Sequence, residues 1–206
     1  FKIFWCFSLI FVFSQPLWAD RYQNFAELAQ NHQEGRDYEI HVLDRSSPVL
    51  VQSIHGGSIE RGSSEFADAI AGTDYNRYDF RGIMPANNIW LHITSHHFDE
   101  PRALDIAARS EVCLSSHGFR GEDGVRELCI GGGNFAMAAR MARGLERRFG
   151  EQIKVTYPCP NFQGTDPANV VNLCRQKGVQ FEVSWALQSF LMSHASYRER
   201  LAEAIR

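Results

Sequence analysis

The chain has 206 residues, 44% hydrophobic and 22% charged, the proportions of an ordinary globular protein with room for one domain and its core. A formal net charge of −3 speaks against nucleic acid, whose binders usually carry a basic face. It does not exclude an acidic substrate, because a local arginine cluster can still attract one.

The chain opens with "FKIFWCFSLIFVFSQPLWAD". Lys2 is followed by an apolar run from Ile3 to Phe13, then Ser14, Gln15, Pro16 and the small Ala19. Charge, short apolar region and small residue read as a secretory signal peptide over 1–19, leaving one domain over 20–206. The apolar run is short for a stable anchor, though an uncleaved anchor is the competing reading. The expected location is therefore secreted or periplasmic. With Cys6 removed, Cys113, Cys129, Cys159 and Cys174 remain, an even set suited to disulfides in an oxidising compartment. Cysteine zinc binding is the weaker alternative, since no CxxC or CxxH spacing occurs. Three pairings are possible, and short loops favour Cys113–Cys129 and Cys159–Cys174.

Helices and strands then alternate along the chain. "NFAELAQNH" (24–32) reads as a helix, and "YEIHVLDR" (38–45) and "PVLVQSIH" (48–55) as strands rich in valine and isoleucine. "SSEFADAIAG" (63–72) is a helix capped by serine and stopped by Gly72. "NNIWLHITSHHF" (87–98) begins as a strand, with His92 an ordinary strand residue, and "PRALDIAARS" (101–110) is a helix opened by proline. "EVCLSSHGF" (111–119) and "RELCIGGGN" (126–134) are strands, and "FAMAARMARGLERRFG" (135–150) is a long helix with Asn134 as its cap. "IKVTYP" (153–158) is a strand and "DPANVVNLCRQKG" (166–178) a helix capped by Asp166. "VQFEVSWAL" (179–187) is the last strand, and the chain ends in helix. The pattern predicts an α/β fold: a three-layer sandwich whose mixed, mostly parallel central sheet carries helices on both faces.

Ligand-grade side chains fall at strand ends. His55 closes one strand, His117 closes another, and Glu182 sits within the last strand. In open α/β sheets, sites lie outside the carboxyl ends of the strands. With Glu60 in the loop after His55, the set is two imidazoles and a carboxylate, the ligands of a hydrolytic zinc site, plus a spare glutamate suited to act as base. Alternatives stand beside each residue. His55 and His117 are also compatible with turn histidines bonded to backbone, and Glu182 with a solvent-facing carboxylate on an edge strand. Gly56 and Gly57 favour a loop that turns closely around something. Glu182 interrupts an apolar strand, where a buried carboxylate is expensive unless paired or bound to metal.

The stretches "HGGSIERGSSE" (55–65), "LHITSHHFDEP" (91–101), "SSHGF" (115–119), "GGGN" (131–134), "TDPANVVN" (165–172) and "GVQFEVS" (178–184) resemble, in order, the poly-γ-glutamate hydrolase family. Its fold is similar to that of the zinc carboxypeptidases. The resemblance implies one Zn2+ per chain held by His55, Glu60 and His117, with Glu182 as general acid/base. It also implies cleavage of the γ-glutamyl amide of a polyanionic chain. It departs from the family at Leu173, which stands where the family often has an arginine after the asparagine matched by Asn172.

"HHFDEP" (96–101) looks like a metal cluster, but Asp99 and Glu100 sit where a helix start welcomes negative charge. "GGGN" lacks the lysine and serine of a phosphate loop. Arg61, Arg120 and Arg175 are candidates for binding substrate carboxylates through the planar guanidinium fork, and plain surface charge is the alternative for each. The expected partner is an anionic polymer or peptide substrate, with no nucleic acid, no stable membrane anchor and a monomeric chain. Two other functions stay open: a zinc amidase acting on γ-D-glutamyl bonds of cell-wall peptides, and a non-catalytic binding module on the same scaffold.

Overall fold

A computed structural model describes residues 20–206; the expected leader at 1–19 lies outside the described residues. Seven strands, β1 (Tyr38–Leu43), β2 (Val49–Gly57), β3 (Asn76–Gly82), β4 (Val112–Phe119), β5 (Glu127–Gly131), β6 (Lys154–Thr156) and β7 (Gly178–Ser184), form one sheet in the order β1-β3-β2-β4-β7-β5-β6. The centre β3-β2-β4-β7 is parallel, β1 joins β3 antiparallel, and β5 runs antiparallel to β7.

Helices α2 (Ser63–Ala71), α4 (Phe135–Phe149), α5 (Trp185–Ser193) and α6 (Ala195–Ile205) cover one face. There Phe66, Ile70, Leu145, Phe149, Leu187 and Leu201 meet Val51, Leu114, Ile130 and Phe181 of the sheet. On the other face, α1 (Phe25–Asn31) and α3 (Pro101–Arg109) bring Leu28, Ala103 and Ile106 against Leu50, Ile54, Tyr78 and Phe80. The expected three-layer α/β sandwich with a mixed sheet is the fold observed. Glu100 caps α3 ahead of Pro101, and Asn134 caps α4 by accepting from the Met137 amide. Among the described residues, no helix is long and apolar enough to cross a membrane.

Three local expectations are corrected, and one strand is new. The segment 87–98 forms a 3-10 turn, Asn88–Leu91, and no strand, so His92 lies in a loop. The segment 166–178 is not a helix and holds only the 3-10 turn Val170–Asn172. Asparagine side chains take over the backbone there, as short polar side chains do. Asn172 Nδ2 donates to the carbonyls of Gly164 and Asp166, and its Oδ1 accepts from the Gly133 amide. At the start of α2, left-handed Gly62 occupies the cap position (φ 89°) and no side chain caps. Strand β3 is an element the sequence pattern does not announce, because its face alternates charged residues. Arg77 and Arg81 both bond the fully buried Asp79, and Ser64 Oγ donates to Asp79 at 2.9 Å.

The disulfide pairing is the fourth correction. Cys113 joins Cys174 and Cys129 joins Cys159, with Cα separations of 5.8 and 5.2 Å. Sheet order explains why Cys113–Cys129 is excluded. Strand β7 inserts between β4 and β5, with Cys113 opposite Gly178 and Cys129 opposite Glu182, so these cysteines are separated by at least two strand spacings, more than about 9–10 Å, beyond the roughly 7 Å Cα limit for a disulfide.

Candidate metal centre and active site

The parallel strands β2, β4 and β7 end at one edge of the sheet, where the expected residues gather. In β4 and β7, His117 and Glu182 are paired in register and so share a face. Strict alternation from Val51, which faces the α2 side, would send His55 to that same side. A register shift between Ser53 and Gly56 breaks the alternation, and a bulge of this kind re-aims a side chain. His55 thereby reaches His117, Nδ1 to Nδ1, at 3.1 Å.

The loop after His55 returns Glu60 to the same point. The Glu60 amide donates to the His55 carbonyl at 3.0 Å, and Ser63 Oγ lies within hydrogen-bond distance of the His55 and Glu60 carbonyls at 3.0 and 2.7 Å. Ser63, read as a helix cap, instead closes the ligand loop. Gly56 makes the tight course possible: a Cβ there would collide with Asp79, Ser64 and the Phe80 carbonyl. Glu60 Oε1 lies 3.0 Å from His55 Nδ1, and its Oε2 lies 3.6 Å from His117 Nδ1 while accepting from the Gly118 amide at 2.8 Å.

These donors fit a metal ion. Tetrahedral zinc with ligand bonds of 2.0–2.1 Å sets its donor atoms about 3.3 Å apart. His55 Nε2 faces the Ile93 carbonyl at 2.8 Å; that acceptor holds the ring hydrogen on Nε2 and leaves the Nδ1 lone pair facing the cluster. His55 and His117 are buried, and His117 Nε2 has no hydrogen-bond partner among the described residues. Burial alone would raise the Glu60 carboxyl, but without a metal the imidazoles of His55 and His117, once protonated on the nitrogens that face it, outweigh burial. Glu60 is held well below the usual carboxylate range.

Glu182 is buried in the same row, so the edge-strand reading falls away. Burial first, and the negative charge of Glu60 second, push its carboxyl well above the usual range; the hydrogen bond from Gln180 Nε2 at 2.9 Å offsets only part of this. A glutamate with a raised pKa is a stronger base than an exposed one.

His92 belongs to this site although the sequence pattern hid it. Its ring stacks on His55 with centroids 4.0 Å apart, and its Nε2 lies 3.7 Å from Glu60 Oε1. His55, Glu60 and His92 together offer donor atoms within 4.8 Å of one another. Asp20, 72 positions away in sequence, bonds His92 Nδ1 at 2.7 Å and accepts from the Thr94 amide at 2.6 Å. Burial would raise the Asp20 carboxyl, but these bonds bring it down to about 2.

The arginines divide. Arg61 follows Glu60, Arg120 follows the end of β4, and both are exposed. Arg175 is not brought to this edge. It pairs with Glu111 at 2.6 Å, at the opposite end of β4, six residues before His117 and so about 20 Å from it along the strand. Asp99 accepts from the Phe25 amide and stays outside the cluster.

Fold and site together define a class: a three-layer α/β sandwich with a metal-capable cluster at the carboxyl edge of its parallel strands. The chain belongs to the poly-gamma-glutamate hydrolase family, whose profile matches residues 22–204. It is 36% identical over 182 residues to UPF0714 protein YndL of Bacillus subtilis (strain 168), covering 88% of this chain and 70% of that protein. UPF0714 protein YmaC of the same organism is 32% identical over 183 residues, covering 88% and 76%. Among solved structures, a bacteriophage poly-gamma-glutamate hydrolase superposes with a TM-score of 0.82 at 30% identity, covering 90% of this chain and 94% of that one. Zinc-free apo YndL superposes with a TM-score of 0.75 at 37% identity, covering 84% and 83%.

Proposed function

We propose that this protein is a secreted, zinc-dependent amide hydrolase that cleaves the γ-glutamyl linkages of poly-γ-glutamate. The observation that carries the reading is the convergence of His55 Nδ1, His117 Nδ1 and the Glu60 carboxylate beside buried Glu182. The family supports the substrate, and two disulfides fit an oxidising compartment.

A zinc ion, when bound by these residues, supplies Lewis acidity toward the amide carbonyl and makes water acidic enough to react near neutral pH. The chain's own groups do the rest. Glu182 accepts a proton from the attacking water and passes it to the leaving nitrogen. Gln180 holds the Glu182 carboxylate in place through Oε1. Arg61 and Arg120 at the rim receive substrate carboxylates, as their planar forks allow. Arg175, tied to Glu111 on the other edge, is not assigned to substrate.

The deciding experiment incubates the purified protein with poly-γ-glutamate and with peptidoglycan fragments, with and without a zinc chelator, and follows free amines. Release from poly-γ-glutamate that the chelator abolishes supports the reading. Release from peptidoglycan fragments alone supports the cell-wall amidase instead. No release from either, with zinc bound, supports a binding module.

A further inference from the structure

Three imidazoles reach the cluster, and they differ in what holds the far side of each ring. A metal-ligating histidine almost always gives its other ring N–H to a carboxylate or a backbone carbonyl, which fixes the tautomer and aims the ligating nitrogen. His55 has such a partner in the Ile93 carbonyl. His92 has one in Asp20, at 2.7 Å from Nδ1. His117 Nε2 has none among the described residues. By this criterion His92 is better prepared to ligate than one of the residues expected from the sequence.

We propose that Asp20 is a positioning residue of the metal centre: it holds the ring hydrogen of His92 on Nδ1, so that Nε2 presents its lone pair as a further ligand beside His55 and Glu60. The inference rests on the metal-centre reading above and extends it to two residues that reading does not use.

Three features support it. Asp20 is itself fixed, since its second oxygen accepts from the Thr94 amide at 2.6 Å, two residues past His92. The carboxylate therefore grips the loop on both sides of Ile93, whose carbonyl bonds His55. The His92 ring stacks on His55, at 29° between planes, and the bond from Nδ1 to Asp20 turns the opposite edge of the ring toward Glu60. A distance of 3.7 Å from Nε2 to Glu60 Oε1 is close to the donor spacing of about 3.3 Å around tetrahedral zinc.

Asp20→Asn is the informative change. Asparagine keeps an oxygen for the Thr94 amide, but its NH2 group faces His92 and donates to Nδ1, which moves the ring hydrogen to Nε2. Zinc affinity, measured by chelator competition, should fall about 10–100-fold, the usual effect of losing such a partner. His92→Ala should weaken zinc at least as much. Melting temperature of the metal-free proteins separates this from general unfolding. In the wild-type protein, 15N chemical shifts of the metal-free form should report His92 with hydrogen on Nδ1, a measurement that needs no variant. Zinc bound by Asp20→Asn as tightly as by wild type, or a wild-type His92 with its hydrogen on Nε2, overturns the proposal while leaving the metal centre intact. Wild-type protein that binds no zinc overturns the metal-centre reading itself.

Discussion

Replacing Glu182 by glutamine separates proton transfer from everything else at this site. The side chain is buried, lies in register with His117 and Cys129 on the neighbouring strands, and accepts from Gln180 through Oε1. Glutamine has nearly the same shape and keeps an oxygen for Gln180, so strand β7 should be unaffected and zinc retained. What disappears is the proton acceptor. General acid–base catalysis contributes about 10²–10⁴-fold, equivalent to about 2.7–5.4 kcal/mol of barrier at 1.36 kcal/mol per decade. Turnover should fall by that factor while substrate binding persists. Stability should move the other way. Folding raises this carboxyl above its ordinary 4.5, through burial and then the charge of Glu60. The folded protein thus holds the proton more tightly than the unfolded chain does. The stability linked to this group is complete at low pH and declines as pH rises above about 4.5. Metal-free Glu182→Gln should therefore gain in melting temperature relative to wild type as pH increases. Zinc content, melting temperature and turnover are measured on the same preparation. A zinc-loaded variant with near-normal turnover would refute the assignment of Glu182 as the proton carrier.

Other expectations follow from named contacts. Alanine at His55 or His117 should remove most of the zinc, because a site of so few protein ligands rarely survives losing one; elemental analysis decides, and full occupancy in both variants would sink the ligand set. Non-reducing peptide maps should show Cys113–Cys174 and Cys129–Cys159, each worth up to about 4 kcal/mol by loop-closure entropy; linkage of Cys113 to Cys129 would contradict the strand order. Asp79→Ala leaves the buried Arg77 guanidinium with only the half-exposed Asp68 as carboxylate partner and should destabilise by up to about 3–5 kcal/mol in denaturant melts. Gly56→Ala has no room for its methyl group and should lower both melting temperature and zinc affinity, whereas an unchanged affinity would mean that the loop's close course does not shape the site.

The regular layers were legible because their signals are local. Helix α4 carries its cap at Asn134 and its apolar stripe at Ala138, Ala142, Leu145 and Phe149, and the site strands end in histidine and glycine where α/β sheets place ligands. What escaped depends on partners distant in sequence. Strand β3 reads as a polar connection until Asp79 is seen between two arginines. His92 alternates with apolar neighbours like a strand residue, and nothing nearby announces Asp20, 72 positions earlier. The helix expected over 166–178 failed because Asn169 and Asn172 compete with the backbone for hydrogen bonds. Arg175 looked close to Glu182 in sequence but enters β7 from its far end. The short-loop disulfides failed because strand order cannot be read from loop length. The direction of β5 is equally invisible, and it carries the "GGGN" loop to the edge away from His117.

Strand β7 is the last of the described strands in sequence, yet it sits fifth from one side and third from the other in a sheet of seven. Until it arrives, β4 and β5 each face an open edge, and the metal ligands exist without their base. Such edges invite pairing with other chains. A nascent or truncated chain ending before Gly178 would therefore be two half-sheets with nothing to join them. The protein cannot complete its fold progressively from its amino terminus. The proton carrier arrives only with these seven residues, and truncating the chain before them should yield aggregates instead of a weakened enzyme.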